Sequence, residues 1–190
     1  MSDRLYRRYF LKRALGCAGL IGGGFPGYIE NAFSKPEKDN EWKIGCYTRP
    51  WAKHDYRVAL DEIAEAGFKY AGLMTDNSEN HLVISAETSL DEARKVGEEV
   101  KKRGLRVPSV YGGGIPVNKS LQAGIEGLKK LIDNCAAAGA ETLLMGGIGN
   151  ADLYDAYYKA ITECCDYAAE KKVEMTLKPH GGLNATGPEC

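Results

Sequence analysis

The sequence has no Cys-x-x-Cys pair, no Walker A stretch and no excess of charge of either sign. Each absence removes a class of function. Without Cys-x-x-Cys, and with Cys164 and Cys165 adjacent, the spacing suits neither a structural disulfide bridge nor a zinc site. The turn after the first candidate strand reads Thr48-Arg49-Pro50-Trp51-Ala52-Lys53, with no glycine. A dinucleotide-binding open sheet needs G-x-G-x-x-G there, and Gly147-Ile148-Gly149 lacks the third glycine. A net charge of −1, with no basic cluster after residue 13, argues against a nucleic-acid partner. The one glycine-rich apolar run, from Ala14 to Phe25, is too short for a comfortable membrane span.

What is present is a composition suited to one globular domain. The chain has 190 residues, 44% hydrophobic and 27% charged, and its 23 glycines fall largely in clusters. Its first residues differ from the rest. Arg4, Arg7, Arg8, Lys12 and Arg13 precede the apolar run, which is the order of a signal peptide. Residues 1–32 are therefore expected to be a signal segment and 33–42 a linker. Removing 1–32 takes five of 25 basic and two of 26 acidic residues, leaving 20 against 24 and a net charge of −4. Cys46, Cys135 and at least one of Cys164 and Cys165 read as small buried hydrophobes.

From residue 43 the pattern alternates strand and helix through four full units and a fifth strand. Lys43–Tyr47, Lys69–Met74, Leu105–Tyr111, Glu141–Met145 and Val173–Lys178 are the expected strands. Asp55 caps a helix carrying Ala59, Ile63 and Ala66, which Gly67 ends; Ser89 and Glu92 form a capping box for a helix striped by Leu90, Ala93, Val96 and Val100. A third helix carries Leu121, Ile125, Leu128, Ile132 and Cys135, and Gly139 closes it. The fourth places Tyr154, Tyr157, Ile161, Cys164 and Ala168 on one face. Strict alternation implies a parallel sheet with right-handed crossovers. Strands three, four and five end in glycine clusters, so their carboxyl ends form a shared mouth, where ligands bind in βα folds.

The last strand is the most informative. Val173, Met175 and Leu177 fall on one face and Glu174, Thr176 and Lys178 on the other; Pro179 stops the strand. Lys178 and His180 thus stand at the mouth as candidate catalytic groups. Trp51 and Tyr111 could stack on a sugar ring or serve as rim aromatics. Gly146, Gly147 and Gly181 would let a ligand approach the backbone. His54 and His81 lie in polar loops. Five strands are about five of the eight in a βα barrel.

Ile44-Gly45-Cys46-Tyr47, Glu65-Ala66-Gly67-Phe68 and Leu177-Lys178-Pro179-His180-Gly181-Gly182 resemble the xylose isomerase-like TIM barrels, the sugar phosphate isomerases and epimerases, from Trp42 to the end. The resemblance implies an incomplete (β/α) TIM barrel over 43–190, inactive by itself, whose mouth binds a sugar or polyol. It also implies proton transfer between neighbouring carbons. A divalent metal is expected if ligands lie beyond Cys190, because in those relatives the fifth strand usually ends in a metal-binding glutamate. Here Lys178 holds that place, and no metal ligand is assigned. Lys178 is open to two readings, a group that works on substrate or the structural partner of an acid. A non-catalytic sugar-binding barrel and a metal-dependent hydrolase of the endonuclease IV kind are the alternatives. Arg7-Arg8-Tyr9-Phe10-Leu11-Lys12 resembles the twin-arginine export signal, which implies the twin-arginine translocase as partner and a periplasmic location.

Overall fold

A computed structural model describes residues 42–180 and 182–187. The expected signal segment 1–32, the linker before Trp42 and Gly181 lie outside the described residues. From Trp42 the elements are β1 (Gly45–Tyr47), α1 (Tyr56–Glu65), β2 (Tyr70–Gly72), α2 (Leu90–Lys102), β3 (Ser109–Tyr111), α3 (Leu121–Ala138), β4 (Thr142–Met145), α4 (Tyr154–Glu163), α5 (Cys165–Glu170) and β5 (Glu174–Leu177).

The helix signals act locally and appear where their residues stand. The Asp55 carboxylate accepts from the Arg57 N–H to open α1, and Ser89 and Glu92 cap one another at the start of α2. Gly139 ends α3 in the left-handed conformation, φ +77°, which costs glycine nothing. Ser120 caps the same helix through the Ala123 N–H. Two stripe residues differ from expectation: Leu90 and Ala66 are exposed, because both sit at helix ends beyond the face that meets the sheet. The expected fourth helix is two, divided at Cys164, although Tyr157, Ile161, Cys164 and Ala168 are buried together as the spacing required.

Every strand pairing is parallel. β1 pairs with β2, β3 with β4 and β4 with β5. β2 joins β3 through bridges Tyr70–Arg106 and Leu73–Val110, with the Leu73 N–H on the Ser109 carbonyl at 3.0 Å and the Tyr111 N–H on the Leu73 carbonyl at 2.8 Å. Between those bridges β3 advances from 106 to 110 while β2 advances from 70 to 73. The extra residue is a bulge at Val107-Pro108, where proline has no N–H for the ladder. This is why regular β3 begins only at Ser109 rather than Leu105.

The spatial order therefore equals the chain order, without the reversal of a doubly wound sheet. Among the described residues the helices cover one face of the sheet. Ala71, Leu73, Val110, Leu143, Met145 and Val173 are buried with Leu60, Ile63, Val100, Leu128, Ile132 and Tyr157 in one core. The alternate residues, among them Tyr47, Ser109, Tyr111, Leu144 and Thr176, face the other way and lie outside that core. Sequential parallel strands with helices on one side are the plan of a βα barrel. Among the described residues the barrel is not closed: β1 and β5 each have one neighbour. Met175 and Leu177 are only half-buried for the same reason.

Candidate functional site

The carboxyl ends of the strands are fastened to one another before any ligand is considered. Thr48, just past β1, is fully buried. Its hydroxyl accepts from the Met74 N–H and donates to the Thr75 carbonyl, both at 3.0 Å, and its own N–H donates to the Gly72 carbonyl. Three bonds thus join the ends of β1 and β2. A single 3-10 turn, Arg49–Trp51, follows, with Pro50 near its start where no N–H is needed. Trp51 is half-buried against the core and its carbonyl accepts from the His54 N–H at 2.8 Å. Past β2, the buried Asp76 carboxylate accepts from the Ser78 N–H at 2.9 Å, which shapes the loop. His54 and His81 are exposed in these loops.

β3, β4 and β5 end in a second fastened group. Tyr111 is the last residue of β3, and its hydroxyl lies 3.3 Å from where a methyl group on Gly146 would stand. The Gly146 carbonyl accepts from the Tyr157 hydroxyl of α4. Lys178 continues the β5 ladder, its N–H on the Met145 carbonyl at 2.9 Å, and its side chain is exposed. His180 is exposed too, its N–H on the Asn184 carbonyl at 2.8 Å. The Asn184 side-chain oxygen accepts from the Ile148 N–H at 2.8 Å, and its amide nitrogen donates to the Tyr158 hydroxyl.

The structure brings Tyr111 beside Gly146, and it links Gly147 and His180 through Asn184. The room over Gly147 is filled by that asparagine: a methyl group there would overlap its side-chain oxygen. Trp51 stands past β1, at the opposite edge of the sheet from Lys178 and His180. Gly181 lies outside the described residues. Sequence reasoning missed Thr48, Tyr157, Tyr158 and Asn184. Thr48 carried a signal, a hydroxyl directly after a strand; Asn184 carried none, since its partner Ile148 is distant in sequence.

The donor set does not suit a metal within this part of the fold. Among the described residues no three His, Cys, Asp or Glu side chains come together as a metal site. At the end of β5 stands Lys178, whose ammonium has no lone pair to give. The buried thiols are inert: burial pushes Cys135 up to about 12, and Cys164 is raised by the same cause. Among the described residues no helix is long and apolar enough to cross a membrane.

A family model described as xylose isomerase-like TIM barrel matches residues 60–188. No curated protein matches the sequence. The structure is similar to a xylose isomerase domain containing protein from Salmonella typhimurium LT2, with 15% identity and a TM-score of 0.54, covering 72% of this chain and 49% of that one. It is also similar to a D-allulose 3-epimerase from Methylomonas sp., solved in complex with D-allulose, with 18% identity and a TM-score of 0.55, over 77% and 56% of the two chains. A D-psicose 3-epimerase solved in the presence of D-fructose gives 16% identity and a TM-score of 0.50, over 70% and 51%. The chain spans about half the length of these solved structures.

Proposed function

Because the chain belongs to the xylose isomerase-like TIM barrel family, we propose that its barrel mouth takes a sugar or polyol and serves proton-transfer isomerisation or epimerisation. The observation that carries this reading is the ladder bond from the Lys178 N–H to the Met145 carbonyl. It sets Lys178 and the following Pro179-His180 at the carboxyl end of β5, beside the Gly146 and Tyr111 group. Ligands of βα barrels bind at that end.

The residues support a division of labour. A Lys178 ammonium offers three donors and a full charge to a carbonyl oxygen, on which negative charge grows as the neighbouring C–H bond breaks. A His180 imidazole accepts that proton and returns it from the same face to the neighbouring carbon, which is isomerisation; epimerisation also requires a second acid, on the opposite face of the enediol, to donate the proton there. Tyr111 supplies an aromatic edge and a hydroxyl for a ring or polyol chain. No step is assigned to a metal. The test is exchange in heavy water. D-Fructose incubated with the protein carrying the complete barrel, with and without added divalent cations, is expected to take up deuterium at the carbon beside its carbonyl and to yield a second ketohexose, whereas residues 43–190 by themselves are expected to do neither. Failure of both would exclude the reaction for this sugar.

A non-catalytic sugar-binding barrel is the second reading, favoured by the exposure of both Lys178 and His180. Calorimetric binding of D-fructose without deuterium uptake would select it. We further propose that the protein is exported to the periplasm by the twin-arginine translocase, on the support of Arg7-Arg8-Tyr9-Phe10-Leu11-Lys12 before the apolar run.

A further inference from the structure

We propose that Asn184 is a positioning residue of the mouth, whose side-chain amide fastens the segment bearing His180 onto the loop after β4. That the fastening serves a ligand rests on the sugar-site reading above. Asn184 is 2% exposed although it sits in a loop. A buried amide is tolerated when its donors and acceptor are satisfied, and here its oxygen and nitrogen are both engaged, while the backbone carbonyl of the same residue holds a third partner. Its backbone carbonyl takes the His180 N–H, its side-chain oxygen takes the Ile148 N–H, and its nitrogen donates to the Tyr158 hydroxyl.

The surroundings are shaped to admit it. Gly147 has no side chain where a methyl group would overlap the amide oxygen. Tyr158 packs against Tyr154 at 4.7 Å and edge-on against Tyr157 at 5.4 Å, and Tyr157 holds the Gly146 carbonyl. Two adjacent residues of α4 therefore hold the Gly146 carbonyl and the Asn184 amide, Tyr157 the one and Tyr158 the other. The glycine cluster after β4 acts as a socket for this amide, since the Ile148 N–H is already engaged. Pro179 offers no N–H of its own, so the backbone from Lys178 to His180 is held by the Met145 ladder bond at one end and by Asn184 at the other.

The test uses the full chain and follows the His180 imidazole by NMR through its titration, with His180→Gln for assignment. It adds calorimetric titration with D-allulose and thermal unfolding as a control for the fold. Asn184→Ala and Gly147→Ala are expected to shift the His180 resonances and midpoint, and to weaken D-allulose roughly tenfold, the scale of one lost buried hydrogen bond. Asn184→Asp keeps the acceptor for Ile148 and is expected to restore much of both. Should Asn184→Ala fail to fold, Tyr158→Phe removes a single partner and is expected to move the same signals less. Unchanged His180 signals in a folded Asn184→Ala or Tyr158→Phe protein would overturn the proposal, as would Asn184→Asp behaving no better than Asn184→Ala. If the wild-type protein takes no D-allulose, the sugar-site reading fails, and the His180 signals alone decide the role of Asn184.

Discussion

Tyr47 lies over Gly72 and shares a hydrogen bond through its hydroxyl with Ser109, so that β1 and β3 are linked across the intervening β2 on the face opposite the helices. A methyl group on Gly72 would come within 2.6 Å of two carbons of the tyrosine ring. Gly72→Ala is expected to destabilise the protein by about 1–3 kcal/mol as overpacking, and Tyr47→Phe by about 1 kcal/mol for the lost hydrogen bond. In the Tyr47→Ala background the Gly72→Ala penalty should largely vanish. Urea unfolding of the four proteins of that cycle measures the coupling, and additive effects would show that the two residues do not meet.

Asn134 of α3 is the anchor of the loop between β2 and α2. It is 1% exposed, and its amide nitrogen donates to the Ser85 and Thr88 carbonyls at 3.1 and 2.8 Å. Asn134→Ala removes a donor from both carbonyls, the Ser85 carbonyl keeping the Thr88 N–H at 3.3 Å, and is expected to cost roughly 1–3 kcal/mol in urea unfolding. A cost near zero would mean that water replaces the amide.

The Glu99 ion pairs should hold in mild acid and fail only as pH falls towards about 2. The Glu99 carboxylate is held from the usual 4.5 down to about 2, chiefly by the hydrogen bond from Lys102 and then by that from Arg103. Arg103 in turn donates to Asp61 at 2.6 Å. A carboxylate lowered on folding contributes stability that is whole above its unfolded value and is lost as pH falls through its folded one. The difference in melting temperature between wild type and Glu99→Gln is therefore expected at neutral pH and should close between about 4.5 and about 2. Its side chain is partly exposed, so salt should narrow the difference as well. A gap that does not change with pH would contradict the assignment.

Export has its own test. Replacing Arg7 and Arg8 by lysine keeps the charge of the leading segment but removes the arginine pair. Fractionation of cells expressing the full chain is expected to show periplasmic protein for wild type only. Equal amounts outside the inner membrane for both would rule out the twin-arginine route.

The parts of this fold that the sequence made legible are those whose causes lie within a few residues. The Ser89–Glu92 capping box, the Asp55 cap and the left-handed Gly139 need only near neighbours, and they stand where expected. The bulge at Val107-Pro108 was hidden because it depends on the count of residues in the facing strand. The same holds at the mouth. Alternation along β5 put Lys178 at the strand end and Met175 and Leu177 on the helix side, both readable from period two. The partners of Gly146 and Gly147 were not readable: glycine announces a close approach, but not that Tyr157 and Asn184 make it. The break between α4 and α5 at Cys164 has no signal in the residues around it.

The central claim is that the mouth at the end of β5 binds a sugar through Lys178, and one titration tests it. D-Allulose and D-fructose are titrated calorimetrically into the full-length wild-type protein and into Lys178→Met, with cooperative thermal unfolding confirmed for both. Saturable heat is expected with the wild-type protein, and a loss of affinity of at least about tenfold in Lys178→Met, the size of a charge-assisted hydrogen bond removed. Equal binding by the two proteins would contradict it, and would move the ligand away from the end of β5.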